Sequence, residues 1–422
     1  MRLSVVDQGH IRSGQPGTIG IAALFTGDPL DLAEVRSRVG ARWGGLDRMG
    51  WVLRRPAGPA ALTAHHWLPA GPFDPATHVV PSGEGLESVL TAGVSRPLPA
   101  GRPLWRLVVA ENATADGEHA LVLLAHHGLL DGRSLETLVR LLMDDAVPPR
   151  PAGPALPRPS AVPAVLRREL HRLGARGQAF PVSPAEARPS LAVVRLPPEV
   201  VGAARHRPVH GRGATLNELL LASLAGALRS CYGPLPGWPD GPTPVYATLP
   251  VDLRSRRNTH ELGNIVTALR VPLPVGLVSA ADRLRVCQDL VAALQDRCDA
   301  HRAALPTVEA AARLVPGLSN AMARRLVRPD VTPTVCTAFK WRDNPCALHG
   351  RRLTRIVPLP QLNPPGTANL CLVQTADAYT LTVVSHLRPA DAAMLGDAVT
   401  REFEELAALP DSAAADVASP TC

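Results

Sequence analysis

The order of apolar and polar positions along the chain predicts an α/β architecture. Leu104 to Val109 reads as a strand, a polar turn with Asp116-Gly117 follows, and Ala120 to Ala125 reads as a second strand. A loop then leads to Leu135, Leu138, Val139 and Leu142, whose i, i+3, i+4, i+7 spacing predicts an amphipathic helix. The same order returns near the end of the chain. Asn369 to Gln374 and Leu381 to Ser385 flank a turn around Asp377, and Met394, Leu395, Val399, Phe403 and Leu406 form the apolar stripe of a helix with Pro389 near its start. Both units read strand, turn, strand, loop, helix. In both, histidine closes the second strand: His126-His127 in one and His386 in the other. Two related α/β lobes are therefore expected.

Three further segments are legible. Thr215-Leu216-Asn217-Glu218 fits a capping box, so a helix begins there and continues through the apolar run Leu219 to Leu228. Val245 to Leu249 reads as a strand that ends at Pro250. Ala311 to Arg328 has Leu314, Val315, Leu318, Met322 and Leu326 set against Arg313, Arg324, Arg325 and Arg328. It is expected to be a solvated helix packed on the second lobe, a lipid-surface helix being the alternative. Prolines crowd the stretch from Pro148 to Pro163, too densely for a helix or a central strand. The expected organisation is a first lobe at 1–146, a proline-rich linker at 147–165, a second lobe at 166–410 and a flexible tail at 411–422.

Composition narrows the class. With 422 residues, 46% of them hydrophobic, the chain can bury a large core, which excludes wholesale disorder and coiled-coil or collagen-like architecture. No apolar run approaches the roughly 18 residues of a membrane span, and the N-terminus lacks the apolar stretch of a secretory signal. The expected location is cytoplasmic, with peripheral contact at the inner membrane face as an extension of the lipid-surface alternative. The formal charge of +7 invites a nucleic-acid reading, but all but one of the 44 basic residues are arginine, the exception being Lys340. They form no long basic run, and aromatic residues are only 3% of the chain, too few for base stacking, so no nucleic-acid partner is expected. Seven cysteines without a Cys-x-x-Cys pair read as reduced thiols. His65-His66 has no acidic or cysteine neighbour at ligand spacing, so no metal is expected.

The sharpest chemical signal is Leu124-Ala125-His126-His127-Gly128-Leu129-Leu130-Asp131-Gly132-Arg133-Ser134. Fourteen histidines in 422 residues give about 0.4 adjacent pairs by chance, and requiring an acidic residue four after the pair, followed by Gly, lowers that to about 0.003. A histidine at the carboxyl end of a strand points into a crevice and can take a proton near neutral pH. A carboxylate four residues later can pair with an arginine and fix the loop, and Gly132 lets the backbone approach a substrate. The competing explanation is a buried polar pair satisfied by backbone.

These residues resemble the active-site motif of the acyltransferase superfamily that contains chloramphenicol acetyltransferase and the condensation domains of peptide synthetases. Within it the chain is similar to the bacterial wax ester synthase/diacylglycerol acyltransferase family. Arg102-Pro103-Leu104-Trp105 looks like that family's Pro-Leu-Trp motif. Thr215 to Glu218, followed by Leu-Leu-Leu-Ala, looks like its Asn-Asp motif, with Glu218 in place of Asp. Leu249-Pro250-Val251-Asp252-Leu253-Arg254 and Gly263-Asn264 resemble its Pro-Val-Ser-Leu-Arg and Gly-Asn segments. The family's Ser-Asn-Val-Pro-Gly-Pro segment has no match, and Thr334 to Trp341 stands in its place.

The resemblance implies two chloramphenicol-acetyltransferase-like lobes with a tunnel and active site at their junction. It makes His127, His126, Asp131 and Gly132 the candidate catalytic residues, with His127 as general base and Asp131 as a structural carboxylate paired with an arginine. Asn264, Ser134, Trp105 and Asn217 are the candidate substrate-binding residues, and Asn264 or the loop backbone near Gly132 would stabilise the oxyanion. The implied partners are an acyl thioester, acyl-CoA first, and a hydroxyl acceptor, with no resident cofactor. The alternative is a stand-alone condensation-type enzyme that uses a carrier protein in trans and forms an ester or an amide. A scaffold without activity would have no need of the His-His-x-x-x-Asp-Gly spacing.

Overall fold

The computed structural model describes all of the chain except residues 2, 60–62, 147–166, 170, 173–174, 208–210, 234–242, 255–258, 315, 342–345, 377 and 411–422. The expected linker and tail lie outside the described residues. The strands in the first half are β1 (Thr18–Phe25), β2 (Trp51–Arg54), β3 (His66–Pro69), β4 (Val79–Ser82), β5 (Trp105–Ala110) and β6 (His119–His126). In the second half they are β7 (Arg188–Leu196), β8 (Tyr246–Asp252), β9 (Val266–Pro272), β10 (Thr334–Trp341), β11 (Ala347–Leu348), β12 (Arg351–Leu359), β13 (Thr367–Thr375) and β14 (Ala378–Leu387). The helices that bear on the site are α1 (Val5–Arg12), α2 (Gly132–Leu141), α3 (Leu216–Tyr232), α4 (Leu294–Leu314), α5 (Pro316–Leu326) and α6 (Asp391–Ala407).

Two six-stranded sheets form the molecule, in the orders β11-β12-β1-β6-β5-β4 and β7-β14-β13-β10-β8-β9. The repeat legible in the sequence extends to four strands. In each sheet an antiparallel hairpin (β5-β6 and β13-β14) has a parallel neighbour on one side (β4 and β10). On the other side lies an antiparallel strand from earlier in the same half, β1 and β7 respectively. A helix follows each hairpin, α2 after β6 and α6 after β14. Central strands are covered on both faces, which is why β1 and β6 read as continuous apolar runs with no alternation.

The division of the chain at the proline-rich segment does not coincide with the division into sheets. β12 crosses back and pairs along β1 from Gly20 opposite Leu359 to Phe25 opposite Leu353, completing the first sheet with a strand from the second half. Its Ile356 is fully buried in the core under the first sheet, together with Trp341 and Val373 from the second half. A second shared layer joins Ala22 and Leu24 of β1 to Val357 and Val384.

Two expectations about single elements need correction. β8 does not stop at Pro250 but continues to Asp252. Past Thr248 it pairs only with β9, so the missing N–H of Pro250 faces no second neighbour. The stretch 311–328 is not one helix: α4 ends at Leu314 and α5 starts at Pro316, a proline at a first helical position. α5 packs against the N-terminal α1 of the first lobe, with Ala323 opposite Gly9, and not on the second lobe alone. No helix among the described residues is long and apolar enough to cross a membrane. The six described cysteines are free thiols, and burial pushes Cys287 and Cys371 up to about 12.

Candidate active site

β6 is buried along its length up to His126, where the strand ends at the junction of the two lobes. The His126 carbonyl accepts the N–H groups of Leu129 at 2.8 Å and Leu130 at 3.2 Å, which folds the chain into a tight turn pinned by two fully buried leucines. Asp131 then caps α2, its Oδ1 accepting the Ser134 amide at 2.8 Å.

The same carboxylate ties the loop to the second half. Arg254 donates Nη1 to Asp131 Oδ2 at 2.9 Å and Nη2 to Oδ1 at 3.0 Å, a bidentate pair that is almost wholly buried. The Ile265 amide adds a third contact to Oδ2 at 3.0 Å. Arg254 also reaches the Glu261 and Gly263 carbonyls, and the Gly263 amide donates to Ser134 Oγ at 2.9 Å. Asp131 makes no hydrogen bond to either histidine. Its contacts lock the His loop onto Arg254 and Ile265, as a structural carboxylate would.

His127 is set by Asn264. The Asn264 Nδ2 group donates to Asp7 Oδ1 at 2.8 Å and to the His127 carbonyl, which spends both amide hydrogens. Its Oδ1 therefore faces His127 Nδ1 as an acceptor, at 3.0 Å, and Nδ1 carries the ring hydrogen. Nε2 is left with its lone pair and with no partner among the described residues. Asp7 in turn takes Arg48 Nη2 at 3.2 Å, while Arg48 Nε donates to the Leu129 carbonyl at 2.7 Å. A second imidazole, His10 of α1, lies on the face of His127 with ring centroids 3.8 Å apart and planes 7° from parallel. His10 Nδ1 meets Gln361 Oε1 at 3.1 Å.

Electrostatically the three partly buried imidazoles are held toward the neutral form. Burial lowers the proton affinity of His127, against the smaller upward pull of its own carbonyl, Asp131, Asn264 and Asp7. Burial and the neighbouring His127 hold His126 down at about 4. His10 lies well below the usual imidazole range, from burial and from both other histidines. Burial also raises the Asp7 carboxyl, in spite of Arg48. His126 Nδ1 accepts the Gly128 amide at 2.9 Å, so its ring hydrogen sits on Nε2, the tautomer opposite to that of His127.

The description "wax ester synthase/diacylglycerol acyltransferase catalytic domain" matches residues 26–221 of the chain. A Mycobacterium tuberculosis protein provisionally designated a diacylglycerol O-acyltransferase is 27% identical over 325 residues, covering 69% of this chain and 70% of that protein. Among solved structures, the wax ester synthase/diacylglycerol acyltransferase from Marinobacter aquaeolei VT8 superposes with a TM-score of 0.60 at 19% identity, over 97% of this chain and 100% of the other. The chain is thus similar to the wax ester synthase/diacylglycerol acyltransferase family, whose catalytic-domain description covers just under half of it. The fold, two chloramphenicol-acetyltransferase-like lobes, is shared more widely: the first condensation domain of the calcium-dependent antibiotic synthetase superposes with a TM-score of 0.64 at 18% identity, over 98% of this chain and 97% of that one.

In this chain several of the motif residues do structural work. Trp105 of the Pro-Leu-Trp motif is buried, donates Nε1 to the Met49 carbonyl at 2.8 Å and stacks on His78, so it packs as part of the core. Ser134 is fully buried and its hydroxyl is held by Asp131, Gly263 and Arg254, which makes it part of the loop brace. Asn217 accepts the Ala338 amide at 2.8 Å and ties α3 to β10. Asn264 has no free N–H for an oxyanion and acts on His127 instead. Gly132 is exposed on the first turn of α2, where an added Cβ would meet no protein atom within 4 Å, so no approach of protein backbone requires glycine there.

The residues that sequence reading left unassigned are Asp7, His10, Arg48, Arg254 and Gln361. One signal was available for the first two: Ser4-Val5-Val6-Asp7 is a capping box, with Ser4 Oγ accepting the Asp7 amide at 3.0 Å, and it announces a helix that must be packed somewhere.

Proposed function

We propose that this protein moves an acyl group from a thioester, acyl-CoA first, to an acceptor hydroxyl by direct attack, with His127 as general base. The observation that carries the reading is the Nε2 of a partly buried His127, unpartnered among the described residues, whose tautomer Asn264 dictates. Nε2 takes the proton of the acceptor hydroxyl as its oxygen bonds to the thioester carbonyl carbon. The tetrahedral intermediate collapses, the carbon–sulfur bond breaks, and the imidazolium returns the proton to the leaving thiolate. Burial suits this sequence. It favours the neutral form of His127, ready to take a proton. No cofactor enters the balance beyond the thioester itself. The tunnel between the lobes expected from the family would admit donor and acceptor from opposite mouths.

The names of the relatives suggest diacylglycerol as acceptor, whereas the likeness to condensation domains supports the second reading, a carrier-bound donor. Thiol release from a panel of acyl-CoAs with alcohol and amine acceptors tests both. The expected result is acceptor-dependent release by the wild type and at least a hundredfold loss in His127→Ala with an unchanged thermal transition. Release by His127→Ala at the wild-type rate would refute the mechanism. Silence with every acyl-CoA but turnover with acyl-carrier substrates would move the assignment to the second reading.

A further inference from the structure

His10 has no place in the mechanism above, yet it is the group in fullest contact with its base. The two imidazoles are stacked face to face at 3.8 Å and 7°, and each is held at Nδ1 by a side-chain amide oxygen, His127 by Asn264 and His10 by Gln361. Neither Nε2 has a hydrogen-bond partner among the described residues. The plate is itself firmly mounted. Gln361 is 7% exposed and follows β12 directly, and its carbonyl accepts Asn369 Nδ2 from β13. α1 is fixed at its start by the Ser4–Asp7 capping box and by the Val5 amide donating to Glu309 Oε1 at 2.9 Å.

A single hydrogen bond at Nδ1 leaves an imidazole free to tilt about that contact, swinging Nε2 away from an incoming hydroxyl. Catalytic groups need to be held within about 0.5 Å and 10–20° of the productive geometry. A parallel ring against the face of His127 removes the tilt. It also offers a polarisable π surface to the imidazolium that forms as the proton is taken.

We propose that His10 is a positioning residue of this active site, holding the His127 ring in its reactive plane by face-to-face stacking, with Gln361 as its anchor. The inference rests on the reading of His127 as general base. The position of His10 beside this geometry supports it, because burial and then the charge of a protonated His127 disfavour a proton on His10, leaving His127 as the ring that takes one during turnover.

The test uses the full-length protein with His10→Ala and His10→Phe, and two readouts. The first is kcat and KM for thioester and acceptor. His10→Ala is expected to lower kcat about tenfold with KM within about twofold, and His10→Phe, which keeps a flat ring without nitrogen, to restore kcat to within about threefold of wild type. The second is the tautomer of His127, read by NMR on protein labelled with 15N-histidine in the absence of substrate. The Nδ1–H form is expected in wild type and His10→Phe, and a mixture of tautomers in His10→Ala. An unchanged kcat and an unchanged His127 spectrum in His10→Ala would overturn the proposal. So would a His10→Phe protein that melts like wild type but is as slow as His10→Ala, since the nitrogens and not the plate would then be at work. A wild type that transfers no acyl group from any donor would refute the general-base reading; in that case an unchanged tautomer in His10→Ala refutes the stacking role and a mixed one upholds it.

Discussion

At the residue scale, the strongest constraint is the buried pair of Asp131 and Arg254. Removing one partner of such a pair leaves a charge without compensation, at a cost of about 3–5 kcal/mol. Asp131→Ala and Arg254→Ala should each lose that much in urea unfolding, and the double variant should lose clearly less than the sum. Full additivity would mean that the pair does not couple. Protons matter at the same scale. His126 titrates near 4 when folded and near 6.5 when unfolded. Between those values the unfolded chain holds more protons, so stability is constant above about pH 6.5 and falls as pH drops through the window, by about 3 kcal/mol at pH 4. His126→Asn should make that part of the profile shallower, measured as unfolding free energy against pH, the remaining slope coming from His10, His127 and His65, which burial also depresses. Glu169, held at about 2 by His301 and Arg297 against the cost of burial, begins to lose its contribution only below about pH 4.5, so the upper part of this window is free of it. The histidines and Asp131 were legible because a strand, a turn and a helix cap are local features. Arg254 could be named as a motif residue but not as the partner, since the pair exists only once the two halves close. His10 was invisible for the same reason: stacking is a product of packing, and nothing in the spacing of α1 announces it.

At the element scale, the turn before β1 is as demanding as the His loop. Gly17 has φ of 70°, its carbonyl accepts the His127 amide at 2.7 Å, and a Cβ there would lie 2.5 Å from His126 Nε2. Gly17→Ala should cost about 1–2 kcal/mol in backbone strain and, by pushing the His126 ring, displace the loop. We expect turnover to fall by about tenfold or more while circular dichroism stays native; wild-type turnover would show that the loop absorbs the intrusion. The capping box at Thr215 appeared where the sequence placed it, with Arg212 added to Glu218 from outside the motif. Hairpins and helices with regular apolar spacing were legible to within a few residues. Proline at 250 misled because its meaning depends on how many neighbours the strand has at that point.

At the scale of the whole molecule, two lobes were legible but their interlocking was not. A strand that leaves one half to complete the sheet of the other has no signature in its own sequence. Because Trp341, Ile356 and Val373 share one core with β1 and β6, the lobes should unfold together. Calorimetry is expected to give one transition whose van't Hoff and calorimetric enthalpies agree, and two resolved transitions would show independent lobes. The crossing strand also sets an order in time. During translation β1 and β6 leave the ribosome early, but β12 follows roughly two hundred residues later, about 10–40 s at ordinary elongation rates. Throughout that interval Thr-Ile-Gly-Ile-Ala-Ala-Leu-Phe of β1 presents an unpaired apolar edge. The nascent chain must be sheltered or synthesised quickly through 146–359, so rare codons in that stretch should lower the yield of active protein more than the same codons placed after β12.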